Sequence, residues 1–223
     1  METKRMDTVE AMVEKFKNMD TTCVSDALDR LGIQGGCHGI SPVVPGAKAV
    51  GGAFTVSYVP CGIEKGTVGD FLDDVEPGQI VVLDNAGRTY CTVWGDIMTF
   101  YSQKRGIAGT VIDGVCRDLP RILETKYPIF TRGRFMVTGK DRVEVAGINV
   151  PVSIGNVHVR PNDIVVCDDS GVLVVPLKRA EEVLKVAAEI DKAEQKILAM
   201  LAEGMTLGEA REKMGYHALQ TKR

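Results

Sequence analysis

Apolar positions recur along this chain with more than one period. Val9, Met12, Val13 and Phe16 fall at helical spacing, which predicts an opening amphipathic helix. A second helix is expected over TTCVSDALDRLG, where Gly32 stops it. The next stretch, GCHGISPVVPGAKAVGGAFTVSY, mixes Gly and Pro with β-branched residues and reads as strands joined by turns. In PGQIVVLDNAG, Pro77-Gly78 makes a turn, Ile80 to Leu83 is a buried run, and Asp84-Asn85 ends it. GDIMTFYSQKRG predicts a helix from about Asp96 to Lys104, closed by Gly106. The strand GTVIDGVC and a helix in CRDLPRILETKY follow, with Pro120 tolerated in the helix's first turn. Strand, helix, strand and helix in succession over residues 79–125 mark a parallel sheet with helical crossovers. A further strand is expected from Phe130 to Thr138.

Beyond that point the pattern changes. VEVAGINVPVSIGNVHVRPNDIVVCDDSGVLVVP alternates, turns often and ends in a hairpin around Asp169-Ser170-Gly171, so it reads as a β-rich layer. From Lys178 the helical period returns. Val183, Val186, Ala187, Ile190, Ala193, Ile197, Met200 and Leu201 share one face, and a short helix follows from Leu207. No repeat or low-complexity linker interrupts the chain. An α/β fold with a partly parallel sheet and amphipathic helices at both ends is expected, as one domain over residues 1–223.

Composition narrows the functional classes. The 27 basic residues are dispersed among 30 acids, and the formal net charge is −3, so no nucleic-acid partner is indicated. The six cysteines form no CxxC pair and several sit in apolar runs, which suits reduced, buried thiols. The three histidines show no metal-ligand spacing. METKRMDTVE lacks the apolar core of a secretory signal, and no apolar run reaches membrane-spanning length, so no membrane and a cytoplasmic location are expected.

Arg117 and Asp118 raise the chemical question. An acid in a helix's first turn is ordinary capping. A cation there has the wrong sign for the helix dipole, and it makes sense where a guanidinium grips an anion held at the same end. Asp96 also opens a helix after a strand of the same predicted parallel sheet. Ligands in such sheets gather beyond the carboxyl ends of the strands, so Asp96, Arg117 and Asp118 are candidates for one pocket. Gly95 lets backbone come close there, and the N–H groups of residues 95–98 can bind a carboxylate. Two carboxylates beside an arginine suit Mg²⁺ or Mn²⁺ and an acidic substrate; a structural ion-pair network is the competing reading. The GGCHG loop at His38 reads as a glycine-rich turn, Cys116 as a core thiol, Lys104 as a solvated lysine, and Asp168-Asp169 as an Asx-type hairpin turn.

The segment WGDIMTFYSQKRGIAGTVIDGVCRD, with twenty residues between Asp96 and Arg117, resembles the family of 4-hydroxy-4-methyl-2-oxoglutarate aldolase and the regulator of ribonuclease activity A. PGQIVVLDNAG before it and RPNDIVVCDDSGVLVVP after it extend the resemblance over about residues 20–205. The chain departs from the family's pattern at Thr92, Asn156 and Asn162, where glycine is typical.

The resemblance implies a β/β/α swivelling-type fold, assembled as homotrimers or hexamers with sites between subunits. It also implies class II pyruvate aldolase chemistry on a small 2-oxo acid, with oxaloacetate decarboxylation as a second activity. Asp118 would then be the direct metal ligand, and Asp96 would act through a metal-bound water. Arg117 would hold the keto acid and stabilise the enolate. The backbone of Gly95, Asp96, Ile97 and Met98 would bind the substrate carboxylate. An acid of a neighbouring subunit, Glu194 or else Glu189, would complete the metal site through water. Some relatives are instead non-catalytic regulators that bind an endoribonuclease.

Overall fold

The computed structural model describes residues 2–64 and 66–215. Helices α1 (Glu2–Phe16) and α2 (Thr21–Arg30) lead into β1 (Ser41–Pro42) and the long β2 (Ala49–Pro60). The crossover region follows as β3 (Ile80–Thr92), α3 (Asp96–Arg105), β4 (Gly109–Cys116), α4 (Leu119–Thr125) and β5 (Ile129–Arg134). Short strands β6 (Val143–Ile148), β7 (Val152–Ile154) and β8 (Val157–Val159) precede the hairpin β9 (Ile164–Asp168) and β10 (Gly171–Val175). Helices α5 (Ala180–Ala202) and α6 (Leu207–Met214) come last.

The main sheet runs β1-β5-β4-β3-β2-β9-β10, with β6 also on β2. Strands β2 to β5 are parallel; from β3 onward this is what the alternation of strand and helix over residues 79–125 predicts. The β2–β9, β9–β10, β2–β6 and β1–β5 pairs are antiparallel. Both partners of β2 lie on one edge of that strand, β9 along residues 49–52 and β6 along residues 56–60.

The hairpin β9–β10 explains the layering. Ile164, Val166, Leu173 and Val175 pack with Phe16 of α1, Leu28 of α2 and Ile190 of α5. Their alternating neighbours Val165, Cys167, Val172 and Val174 pack in the core that contains Phe54, Ile80 and Phe130 of the parallel strands. A hairpin buried on both faces must be apolar at nearly every position, which is why IVVC and VLVV lack the usual polar alternation. The α/β fold of mixed sheet and flanking helices agrees with the expectation.

Two strand ends differ from the sequence reading. β3 does not stop at Asp84-Asn85 but continues to Thr92, because Ala86 (φ 49°) and Gly87 (φ 68°) bulge out while β4 runs straight beside it. β5 ends at Arg134, short of Thr138, which makes only an isolated bridge to Thr92. Asn156 (φ 70°) and Asn162 (φ 71°) both take the left-handed conformation that glycine would otherwise supply. Asp168 accepts the Ser170 N–H at 2.8 Å, the expected turn, and also the Thr21 N–H at 2.9 Å, tying the hairpin to the start of α2. No two cysteines are joined by a disulfide among the described residues.

Asp113, at 5% exposure, pairs with Arg132 of β5 and accepts the Gly155 N–H at 2.8 Å. Asp84 beside it on β3 accepts the Ser153 N–H at 3.0 Å. These two acids therefore fasten the β7–β8 hairpin onto the parallel strands. Asp113→Ala leaves the Arg132 guanidinium and the Gly155 N–H without this acceptor, and the expected loss is about 3 kcal/mol. Urea unfolding measures it; a loss below about 1 kcal/mol would contradict the role given to Asp113.

Candidate functional site

The α3 and α4 helices each follow one of two neighbouring parallel strands, so their N-termini emerge side by side at the carboxyl edge of the sheet. This brings Gly95 and Asp96 against Arg117 and Asp118. Asp118 sits at the cap position of α4, yet its side chain makes no capping bond to that helix. Its Oδ2 instead accepts the Asp96 N–H of α3 at 3.2 Å. The same oxygen lies 3.4 Å from Arg117 Nε. Ordinary capping is thus not what positions this carboxylate.

Two backbone features hold it there. Gly95 leaves room for this placement, since a Cβ there would stand 2.5 Å from Asp118 Oδ2 and push the carboxylate away. Asp118 itself has φ 63° and ψ 35°, a left-handed conformation that costs a non-glycine residue about 1–2 kcal/mol. Strain of this kind persists where surrounding contacts over-determine it, and it concentrates at functional sites. The Arg117 N–H is fixed by the Trp94 carbonyl at 3.1 Å. Trp94 is in turn locked by its indole N–H on Thr99 Oγ1 at 2.9 Å and by stacking on Tyr127. Arg117 and Asp118 are 41% and 37% exposed, so a small solute can reach both.

Arg121 joins the site as well, a residue that the strand–helix argument from sequence does not single out. From the first turn of α4 its Nη1 donates to Asp96 Oδ2 at 2.9 Å. That guanidinium holds the Asp96 carboxyl below its ordinary pKa of 3.8. The signal was present in the sequence: Arg121, like Arg117, is a cation near a helix N-terminus, and it too proves to face an anion. Burial pushes the Cys116 thiol up to about 11, in keeping with a core thiol.

Two clefts open at this junction. One, of about 480 Å³, runs between α3 and α4 and is lined by Asp96, Ile97, Phe100, Arg121 and Glu124. The other, of about 320 Å³, is lined by Arg117, Asp118, Leu119, Arg134, Phe135 and Met136. Ile97 is exposed and Met98 half-buried on the first turn of α3. The Asp96 N–H already serves Asp118, so of residues 95–98 it is not an open donor here. Glu194 belongs to the helical layer on α5, which packs on α1, α2 and α6. Burial raises its carboxyl pKa there, with Asp26 and Asp191 adding to the effect. Among the described residues of one chain, no three His, Cys, Asp or Glu side chains converge as a metal-binding group. No described helix is long and apolar enough to cross a membrane.

Comparison with known proteins gives these features a setting. The RraA-like family model, described as Aldolase/RraA, matches residues 21–174. "Protein DlpA" of Legionella pneumophila is 39% identical over 94% of this chain, and the match spans 35% of that protein's length. A "putative 4-hydroxy-4-methyl-2-oxoglutarate aldolase" of Halalkalibacterium halodurans is 35% identical over 78% of this chain and 81% of its own. The crystal structure of an uncharacterized protein from Pseudomonas syringae pv. tomato superposes with a TM-score of 0.85 at 42% identity, covering 91% of this chain and 97% of that one.

The Arg121–Asp96 pair has a measurable consequence. A carboxylate with a lowered folded pKa adds stability above its unfolded pKa, and loses that contribution as pH falls through the folded value. Followed by NMR, the Asp96 carboxyl should titrate below 3.8 in the native chain and move up in Arg121→Gln. An unchanged midpoint in that variant would show that Arg121 does not set the charge of Asp96.

Proposed function

The chain belongs to the RraA-like family, and from that premise we propose that it is a divalent-metal-dependent class II pyruvate aldolase. It cleaves a 4-hydroxy-2-oxo acid such as 4-hydroxy-4-methyl-2-oxoglutarate to pyruvate and a carbonyl product. Oxaloacetate decarboxylation would follow from the same enolate. The observation that carries the reading is Asp118, held in a strained conformation with its carboxylate against Gly95 and Arg117 beside it at two helix N-termini.

The donor set fits Mg²⁺ or Mn²⁺. Mg²⁺ characteristically takes one or two carboxylates and fills its remaining positions with water and substrate oxygens. Asp118 would hold the ion directly and Asp96 through water, with Glu194 of a neighbouring subunit completing the set. When bound, the ion polarises the 2-oxo group and draws electron density from the bond being broken.

The chain's own groups do the rest. The first turn of α3 offers backbone N–H groups at the positive end of a helix dipole, where a substrate carboxylate is favoured. Arg117 would face the 2-oxo oxygen and neutralise the charge that develops as the C3–C4 bond breaks, while a nearby water takes the C4 hydroxyl proton and a proton later returned to C3 gives pyruvate. Gly95 leaves room for Asp118. Trp94 and Thr99 hold the backbone from which Arg117 is aimed. Arg121 holds the Asp96 carboxylate in place and lowers its pKa further. Ile97, Phe100 and Met136 expose apolar surface around the site, which supports a homotrimer or hexamer with sites between subunits. We read residues 1–223 as a single domain.

A non-catalytic role as an endoribonuclease-binding regulator would require neither the strained Asp118 nor Arg117 beside it, so those features favour the lyase. Asp118→Asn retains the side chain's shape but weakens its hold on a cation. Mg²⁺-dependent pyruvate release from 4-hydroxy-4-methyl-2-oxoglutarate should fall at least about 100-fold. The far-UV circular dichroism should stay native. Undiminished, chelator-sensitive release by this variant would remove Asp118 from the mechanism.

A further inference from the structure

The two clefts at this junction, one lined by Asp96 and the other by Asp118, differ in charge. The α3–α4 cleft holds two acids, Asp96 and Glu124, and one cation, Arg121, which is already paired with Asp96. The cleft toward β5 holds two cations, Arg117 and Arg134, and one acid, Asp118. Among the described residues no carboxylate pairs with Arg134, whose side chain is exposed at the strand's end. By its side-chain charges the second cleft is the one that favours a further anionic arm of a ligand.

Backbone pairing fixes how near Arg134 stands to the reacting groups. Arg134 is the ladder partner of Cys116, the residue before Arg117, and neighbouring strands are about 4.8 Å apart. The Phe135 N–H donates to the Cys116 carbonyl at 3.0 Å, so this segment is locked to the end of β4. Leu119, Phe135 and Met136 supply apolar wall in the same cleft. One cleft therefore combines a second guanidinium, Arg134, and the apolar side chains of Leu119, Phe135 and Met136 with Arg117 and Asp118. A short-chain 2-oxo acid with a second carboxylate has groups to match each of these.

Resting on the aldolase reading for the pyruvate end, we propose that Arg134 is a specificity-determining residue. It grips the distal carboxylate of a dicarboxylic 2-oxo acid, while Leu119, Phe135 and Met136 take the carbon chain between the two ends. An uncharged distal group finds no counterpart to Arg134 and binds through the pyruvate end alone. The guanidinium offers a forked, two-point contact to a carboxylate, which a lysine's ammonium does not reproduce.

The test compares two unreactive ligands of equal chain length by calorimetry with Mg²⁺ present: 2-oxoglutarate and 2-oxopentanoate. The native chain should bind the diacid at least about 10-fold more tightly. Arg134→Met should erase that preference while leaving 2-oxopentanoate affinity unchanged, and Arg134→Lys should keep part of it. A preference that survives in Arg134→Met, or a native chain that has none or binds neither ligand, overturns the proposal. Pyruvate release by the native chain, measured in parallel, separates the two readings. An Arg134-dependent preference without pyruvate release would sink the aldolase and leave the subsite standing. Pyruvate release without such a preference would do the reverse.

Discussion

Gly95 has no side chain, and the Asp118 carboxylate occupies the space beside it that a methyl group would need. This close approach is possible only because β3 and β4 are parallel neighbours, so that the turns after them meet. Once Asp118 adopts its left-handed backbone, its carboxylate turns away from its own helix and toward the first N–H of α3. Arg117 and Arg121 then stand on either side of that contact, each close to a different acid. The local cost of the conformation is met by rigid surroundings, notably the buried Trp94 with its Thr99 and Tyr127 partners.

The scaffold exists to keep those turns in register. The hairpin β9–β10, buried on both faces, separates the helical layer from the parallel strands. Asp84 and Asp113 fasten the β7–β8 hairpin to the strands that precede α3 and α4. Asp113 is therefore a structural acid, although it lies only a few residues before Arg117 in the chain. Its neighbours along β4 fix the strand's position, and the strand's end leads into Arg117 and Asp118.

Much of this was legible from the sequence because the periods are strong. Val9 to Phe16, Ile80 to Leu83, Thr110 to Ile112 and the long apolar face beginning at Val183 each found their element. The extension of β3 to Thr92 was not legible, because a bulge at Ala86 and Gly87 looks like a chain-ending turn. Phe130 to Thr138 looked like one strand because the apolar residues continue past Arg134, whereas pairing with β4 ends there. Asp96, Arg117 and Asp118 could be placed together from strand–helix order alone. The left-handed backbone at Asp118 and the service of its carboxylate to another helix depend on tertiary contact, and no local pattern carries them. Arg121 obeyed the same argument that singled out Arg117, and Arg134 is set beside them only by the β4–β5 ladder.

On the proposed reading, this junction stabilises the enolate of pyruvate by placing a cation-binding carboxylate and an arginine at one end of a 2-oxo acid. Enolate formation can be read without knowing the physiological substrate, by following the pyruvate methyl signal with proton NMR in D₂O. The account predicts that the chain with Mg²⁺ exchanges the methyl protons for deuterium, and that a chelator stops the exchange. A methyl signal that keeps its full intensity in the presence of chain and Mg²⁺ would contradict it.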